Sequence, residues 1–314
     1  MIKASASSCF HYTKRITTLK SILQNGLRYS YAFEEFPRGV VEALSNELTG
    51  FLSDNVLFPE VKGAGIAIPM ISFCDIPLSR SHQHVRKYGR YAIGLNRDYL
   101  LDVYEKFFNP VIYSHCQDLK DSLSFFASEM RYTCIRMRHY IERHRMDLPE
   151  PPNGKTERQE FLNSLPHELQ EDINHHFNES YYLRILLSLY KPIYLKDLRG
   201  KIQNFYDEHE WRLYLPDYDV FRWVVNLTKD EYSEEIKSFN AEIAKQELAY
   251  VKINSSNFSA INHIIVKNNQ ERNSIIKFIM ESPVLFGCSI KKYDTQRQHL
   301  VGKITSFEDI EKDY

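Results

Sequence analysis

The stretch Phe205-Tyr206-Asp207-Glu208-His209-Glu210-Trp211-Arg212-Leu213-Tyr214 constrains this chain more than any other. Read as a strand, it puts Glu208, Glu210, Arg212 and Tyr214 on one face and His209, Trp211, Leu213 and Leu215 on the other. The second set is suited to a core. Two carboxylates and a guanidinium in a row need a polar cleft or solvent, and the exposed face of an antiparallel sheet supplies solvent as readily as a site supplies a cleft. The residues around this stretch have to decide between the two.

Upstream, Ser8–Thr13 reads as a short strand and Lys14–Gln24 as a helix, with Ile16, Leu19, Ile22 and Leu23 at helical spacing and Gly26 as its stop. Leu27–Phe33 is a second strand, and residues 34–60 read as a long loop with a short helix at Val40–Glu47. The apolar run Gly65–Leu78 is a buried strand, ended by Asp75 and Pro77. Ser79–Lys87 is a helix whose Arg80, His82, His84, Arg86 and Lys87 give a basic surface. Tyr88–Leu95 is a strand, Asn96 caps a helix running to Phe107, and Pro110–Tyr113 is a further strand. From about 118 to 190 the pattern turns helical, broken by Pro149, Pro151, Pro152 and Gly154. Strands return at Ile193–Lys196, Val220–Val225, Leu248–Ile253, Ile261–Lys267, Cys288–Tyr293 and Leu300–Ile304, with helices at Lys229–Glu247 and Asn269–Glu281. The fold class is α+β: a single domain over residues 1–314, built on a mixed sheet with a helical insertion at about 118–190.

A net charge of −1 gives no global attraction to nucleic acid or membrane, so any such contact needs a local patch. Five scattered cysteines without a C-x-x-C pair fit a reducing cytoplasm and argue against a structural zinc site. No window reaches the apolar length of a bilayer span, and the start has no signal-peptide core, so the expectation is a cytoplasmic protein without a membrane partner. With 21 Tyr and 19 Phe, rings are available both for clefts and for the core.

Four motifs carry a resemblance: F-H-Y-T with L-x-x-I-L-x-x-G (Leu19 to Gly26), P-M-I-S-F-C-D-I-P-L (Pro69 to Leu78), Y-G-x-Y-A-I-G-L (Tyr88 to Leu95) and Y-D-E-x-E-W-R (Tyr206 to Arg212). Over roughly residues 8–280 the chain resembles the AbiGi family of abortive phage-resistance proteins. The motif order is similar to that of the DarT-like branch of the ADP-ribosyltransferase superfamily. That second resemblance implies an ADP-ribosyltransferase-like core and NAD as a substrate, with no metal. It implies Glu210 as the catalytic carboxylate, with Glu208 orienting the acceptor or the two roles exchanged. It also implies His11 on a ribose hydroxyl, flanked by Tyr12 and Thr13, with Ser72 nearby. Tyr88 or Tyr91 would stack on nicotinamide, and Arg212 would bind the phosphates or hold Glu210. A carboxylate beside the ribose is what an oxocarbenium-like transition state needs.

For the acceptor, Arg131, Arg136, Arg138 and Arg143 on one helix, with Tyr132 and Tyr140, can track a phosphate backbone, RNA before DNA. The same helix reads equally as a solvated face paired with the acids of 157–172, or as a protein-docking surface. Taken singly, His11 reads as a half-buried strand histidine, the tyrosines as core residues, Cys74 as a buried thiol and Asp75 as a turn former. Two functions follow: a transferase toxin restrained by antitoxin or chaperone partners, or a non-catalytic antitoxin or partner-binding component of such a system. One geometric point separates them. The transferase needs His11 and Glu210 facing each other across an open cleft, not Glu210 buried against Arg212.

Overall fold

The computed structural model describes residues 7–45, 63, 65–114, 117–144, 163–192, 194–196, 202–214 and 224–313. Among the described residues nine strands form the main sheet: β1 (Ser8–Thr13), β2 (Ser30–Glu35), β3 (Gly65–Cys74), β4 (Tyr91–Asn96), β5 (Phe108–Pro110), β6 (Glu210–Tyr214), β7 (Val224–Leu227), β8 (Ile261–Val266) and β9 (Ile304–Ser306). Their order is β9-β8-β4-β1-β3-β6-β5, with β2 and β7 also paired to β3. The β8–β9 pair is parallel and the other pairs are antiparallel, so the α+β class and mixed sheet hold.

β3 is the spine, because its apolar run can be buried on both faces. Its register fixes everything near the site. Glu210 pairs with Cys74, Arg212 with Ser72 and Tyr214 with Met70 on one edge. On the other edge Ser30 pairs with Met70 and Phe10 with Cys74. Between those two contacts, Ile71 to Phe73 pair with no strand on the second edge among the described residues, so the sheet is split there.

The two faces are covered differently. On one, α1 (Ile16–Asn25), α4 (Arg97–Val103), α8 (Asn269–Glu281) and α9 (Thr295–Val301) pack over Cys9, Ile71, Phe73, Ile93 and Leu213. On the other, α2 (Arg38–Ser45), α5 (Gln117–His144) and α6 (His167–Leu189) cover Ile66, Ile68 and Met70, while α3 (His82–Tyr88) and α10 (Phe307–Asp313) cover Phe10, Cys74 and Ile265. A band of sheet between these two apolar clusters carries Ser72, Glu210 and Arg212. The remaining long helix, α7 (Lys229–Ile243), opens with a full capping box between Thr228 and Glu231.

Several expectations are corrected. Leu27–Phe33 is two elements, Leu27–Arg28 and β2, in different sheets. Residues Phe205–Tyr214 are not one strand: Tyr206–Glu208 is a 3-10 turn, and His209 sits at φ 44°, which ends any extended run before Glu210. In Leu300–Ile304, Leu300 and Val301 end α9, Gly302 and Lys303 form a turn, and β9 begins only at Ile304. Leu248–Ile253 contains a 3-10 turn and only two strand residues, Tyr250–Val251. Of the loop expected at 34–60, residues 34–35 end β2 and 38–45 form α2, and the rest from 46 lies outside the described residues, as do the proline-rich break and residues 215–223.

Candidate functional site

Glu210 opens β6 and is buried. Its Oε1 accepts from Ser72 Oγ at 2.8 Å and from Arg212 Nε at 2.9 Å, and its Oε2 accepts from Lys191 Nζ at 2.7 Å. Its backbone N–H donates to the Tyr113 hydroxyl at 2.8 Å. Burial by itself raises this carboxyl's pKa, but the charges of Arg212 and Lys191 and their hydrogen bonds outweigh it and hold the group down at about 2.

Glu208 reaches the same place from the turn rather than from the strand face. Its Oε2 accepts from Lys191 Nζ at 2.8 Å, and its Oε1 accepts from Tyr88 at 2.7 Å and pairs with Lys87. Burial opposes ionisation here too, and Lys191, Lys87 and Tyr88 overcome it. Lys87 and Lys191 both approach the Phe205 ring, at 5.2 and 4.6 Å from its centroid, so the residue just before the turn lies over the two ammonium groups.

Arg212 is fully buried. Besides Glu210 it bonds the Ser188 carbonyl at 2.7 Å, at the end of α6, and pairs with Glu34 of β2. Among the described residues, three carboxylates (Glu34, Glu208, Glu210) thus meet three cations (Lys87, Lys191, Arg212) between the two apolar clusters. The set balances in charge, and both oxygens of Glu208 and of Glu210 are engaged, which is what buried ions require.

His11 is elsewhere. Phe10 pairs with Cys74, which pairs with Glu210, so Phe10 shares the carboxylates' face and His11, one residue on, takes the other. There it pairs with Ile93 in register and meets the Phe73 ring edge-on at 6.0 Å. Its Nδ1–H donates to the Ser72 carbonyl at 2.9 Å, closing the split beside β3. Burial lowers its pKa, partly offset by that bond. Thr13 and Tyr91, paired in register, lie on the His11 face, and the Tyr91 hydroxyl is bound to Glu271 at 2.9 Å. Tyr12 does lie on the carboxylates' face, packed near His84 at 6.2 Å.

The structure therefore brings Ser72, Tyr88, Glu208, Glu210 and Arg212 together and leaves His11, Thr13 and Tyr91 behind the sheet. Lys191, Lys87, Glu34, Tyr113 and His84 complete the cluster without being expected there. Of the residues the sequence assigns to a basic surface, Lys87 is exposed and also places its ammonium on Glu208, whereas His84 is buried, with its pKa lowered by burial. No motif marks Lys191. It is placed because Tyr190–Pro192 pairs in parallel with Ile112–Ser114, setting Lys191 beside Tyr113.

Of the basic helix residues, Arg136 bonds Asp172 of α6, with Nε–Oδ2 at 3.0 Å, so it is used in an interhelical pair as the alternative reading had it. Arg143 is exposed. The side chains of Arg131 and Arg138 lie outside the described residues. Among the described residues no helix is long and apolar enough to cross a membrane.

A mixed sheet capped on one face by a two-helix hairpin, with a neutralised ion cluster beneath, defines an α+β protein whose central polar side chains bind one another. The chain belongs to the AbiGi family, described as abortive phage resistance protein AbiGi, antitoxin; the family model matches residues 49–267. It is 25% identical over 264 residues to the abortive phage resistance protein AbiGi of Lactococcus lactis subsp. cremoris, covering 79% of this chain and 89% of the relative. No solved structure matches it.

Proposed function

We propose that the chain is the antitoxin of an abortive-infection system: a non-catalytic component that acts by binding a partner protein. One observation carries this reading. The two carboxylates that a transferase would turn towards its substrate are both occupied, inside the protein, by Lys191, Arg212, Ser72, Lys87 and Tyr88. His11 is on the opposite face of the sheet from Glu210. The description of the family as an antitoxin supports the same conclusion. The expected behaviour is harmless expression of this chain alone and relief of toxicity when it is expressed with a toxic component of the same system.

A second reading is favoured by the convergence of Ser72, Tyr88, Glu208, Glu210 and Arg212. It is a NAD-dependent ADP-ribosyltransferase toxin acting on nucleic acid, RNA before DNA. One experiment separates the two: purified, folded protein is incubated with cell extract and NAD labelled in its ADP-ribose half, beside Glu210→Gln. The antitoxin reading expects no label above background. Label that depends on Glu210 and resists protease but not ribonuclease would replace it with the second.

A further inference from the structure

We propose that the outward stripe of α5 is a self-association surface, on which two copies of the chain pair antiparallel about a two-fold axis through Tyr132. This goes beyond the antitoxin reading and does not depend on it.

The helix has two unlike sides. Leu123, Ala127, Met130 and Met137 are buried, the first three against α2 and α6. On the opposite side Asp121, Phe125, Tyr132, Arg136, His139 and Arg143 are all exposed, and steps of 4, 7, 4, 3 and 4 residues keep them in one stripe. Phe125 is 67% exposed and Tyr132 63%. Two large rings left in water seven residues apart, within a polar stripe, have the composition of an interface centre.

What selects a second copy is the stripe's self-complementarity. Asp121 lies eleven residues before Tyr132 and Arg143 eleven after it, while Phe125 lies seven before and His139 seven after. Antiparallel pairing about Tyr132 therefore sets each Asp121 carboxylate against the other copy's Arg143 and each Phe125 ring against the other copy's His139. The two Tyr132 rings meet on the axis. Parallel pairing would instead set Asp121 against Asp121 and Arg143 against Arg143, so charge fixes the orientation. Nucleic acid is a poorer occupant, because α5 and α6 together carry eight Asp and Glu against six Lys and Arg.

The stripe spans roughly 33 Å at 1.5 Å per residue. The Arg136–Asp172 pair holds α6 beside it, and α6 leaves Leu186 exposed two heptads after Asp172. A two-helix footprint roughly 20 Å wide gives about 650 Å² per copy, near the ~800 Å² per partner of a specific complex. The expected dimer is reversible rather than obligate.

Sedimentation equilibrium of the purified full chain over roughly 1–200 µM tests this. The wild type is expected to show a monomer–dimer equilibrium. Tyr132→Glu sets two carboxylates together on the axis and is expected to leave only monomer, with an unchanged thermal melt showing that the fold is intact. Asp121→Arg and Arg143→Asp are each expected to weaken the dimer by about tenfold or more, and the double reversal to restore it to within a few-fold. A wild type that stays monomeric throughout, a dimer indifferent to Tyr132→Glu, or a double reversal no better than the single changes would each overturn the proposal. The last two outcomes would place any self-association on another surface.

Discussion

Replacing Lys191 by Met is the sharpest perturbation of the ion cluster. The stem is kept, and an ammonium shared by Glu208 and Glu210 is lost. Glu210 then retains Arg212 and Ser72, and Glu208 retains Lys87 and Tyr88, so each carboxylate is left partly compensated. Lys191 is only 12% exposed at its side chain, and its partners 8% and 10%, so solvent screens little of the loss. Removing one partner of a buried pair costs about 3–5 kcal/mol, and the partial compensation puts the expected loss at about 3 kcal/mol. For a chain of 314 residues that corresponds to a fall of roughly 5 °C in Tm.

The pH dependence makes this test specific. Glu210 has its pKa depressed to about 2 in the folded protein, so its ionisation contributes stability that is fully present above the ordinary carboxylate range. That contribution is lost as pH falls from about 4.5 towards 2. Lys191→Met raises the folded-state pKa of both carboxylates, so the gap between wild type and variant is expected to be widest near pH 7 and to close as the pH falls below 4.5. Urea midpoints measured from pH 3.5 to 8, where both proteins show a single transition, follow this gap directly. A loss below about 1 kcal/mol at pH 7, or one that is constant across the range, would mean that Lys191 does not hold these carboxylates in solution.

Other sites give independent expectations. Arg297 is buried and donates to the carbonyls of Ile279, Ser282, Ile290 and Lys291, so Arg297→Met should cost about 3 kcal/mol or more and Arg297→Lys should recover only part, both read by urea midpoint. Gly89 sits at φ 113° with the position of a Cβ 2.2 Å from the Thr13 carbonyl oxygen, so Gly89→Ala should lower stability by about 2 kcal/mol or more in the same assay. Arg136→Ala should cost no more than about 1 kcal/mol, because its side chain is 51% exposed despite the pair with Asp172, and added salt should shrink the difference. Burial raises both the Cys9 and Cys74 thiols, the former to about 12, so in timed alkylation at pH 8 with peptide mapping Cys288 should react before either.

How far the site can be read from the sequence depends on whether a residue's place is set locally. The apolar run of β3, the Asn96 cap and the helix after Asn268 are encoded by neighbours within a few positions, and all three stand where their patterns put them. The alternation in Phe10-His11-Tyr12-Thr13 is equally local, and it does show that His11 and Tyr12 point opposite ways. It does not show which of them faces Glu210. That follows from Phe10 pairing with Cys74 across the sheet, a register no short motif contains. The alternation puts Glu208 on the strand face because it carries no sign of the positive φ of His209: histidine is among the types enriched there, but the conformation is uncommon even for them.

The ion cluster is the extreme case. Its six charges come from positions 34, 87, 191, 208, 210 and 212, on β2, α3, the strand after α6, the 3-10 turn and β6. The sequence shows only the three alternate positions 208, 210 and 212 at its end, where two carboxylates beside one guanidinium look like an unbalanced site awaiting a ligand. The fold supplies two lysines and a third carboxylate from elsewhere, and the excess becomes three against three. Because Lys191 and the Ser188 carbonyl are fixed to the end of α6, the same bonds that neutralise Glu208 and Glu210 also fasten the hairpin to the sheet. A polar row that reads as chemistry in one dimension thus acts in three as the joint between the sheet and its helical cover.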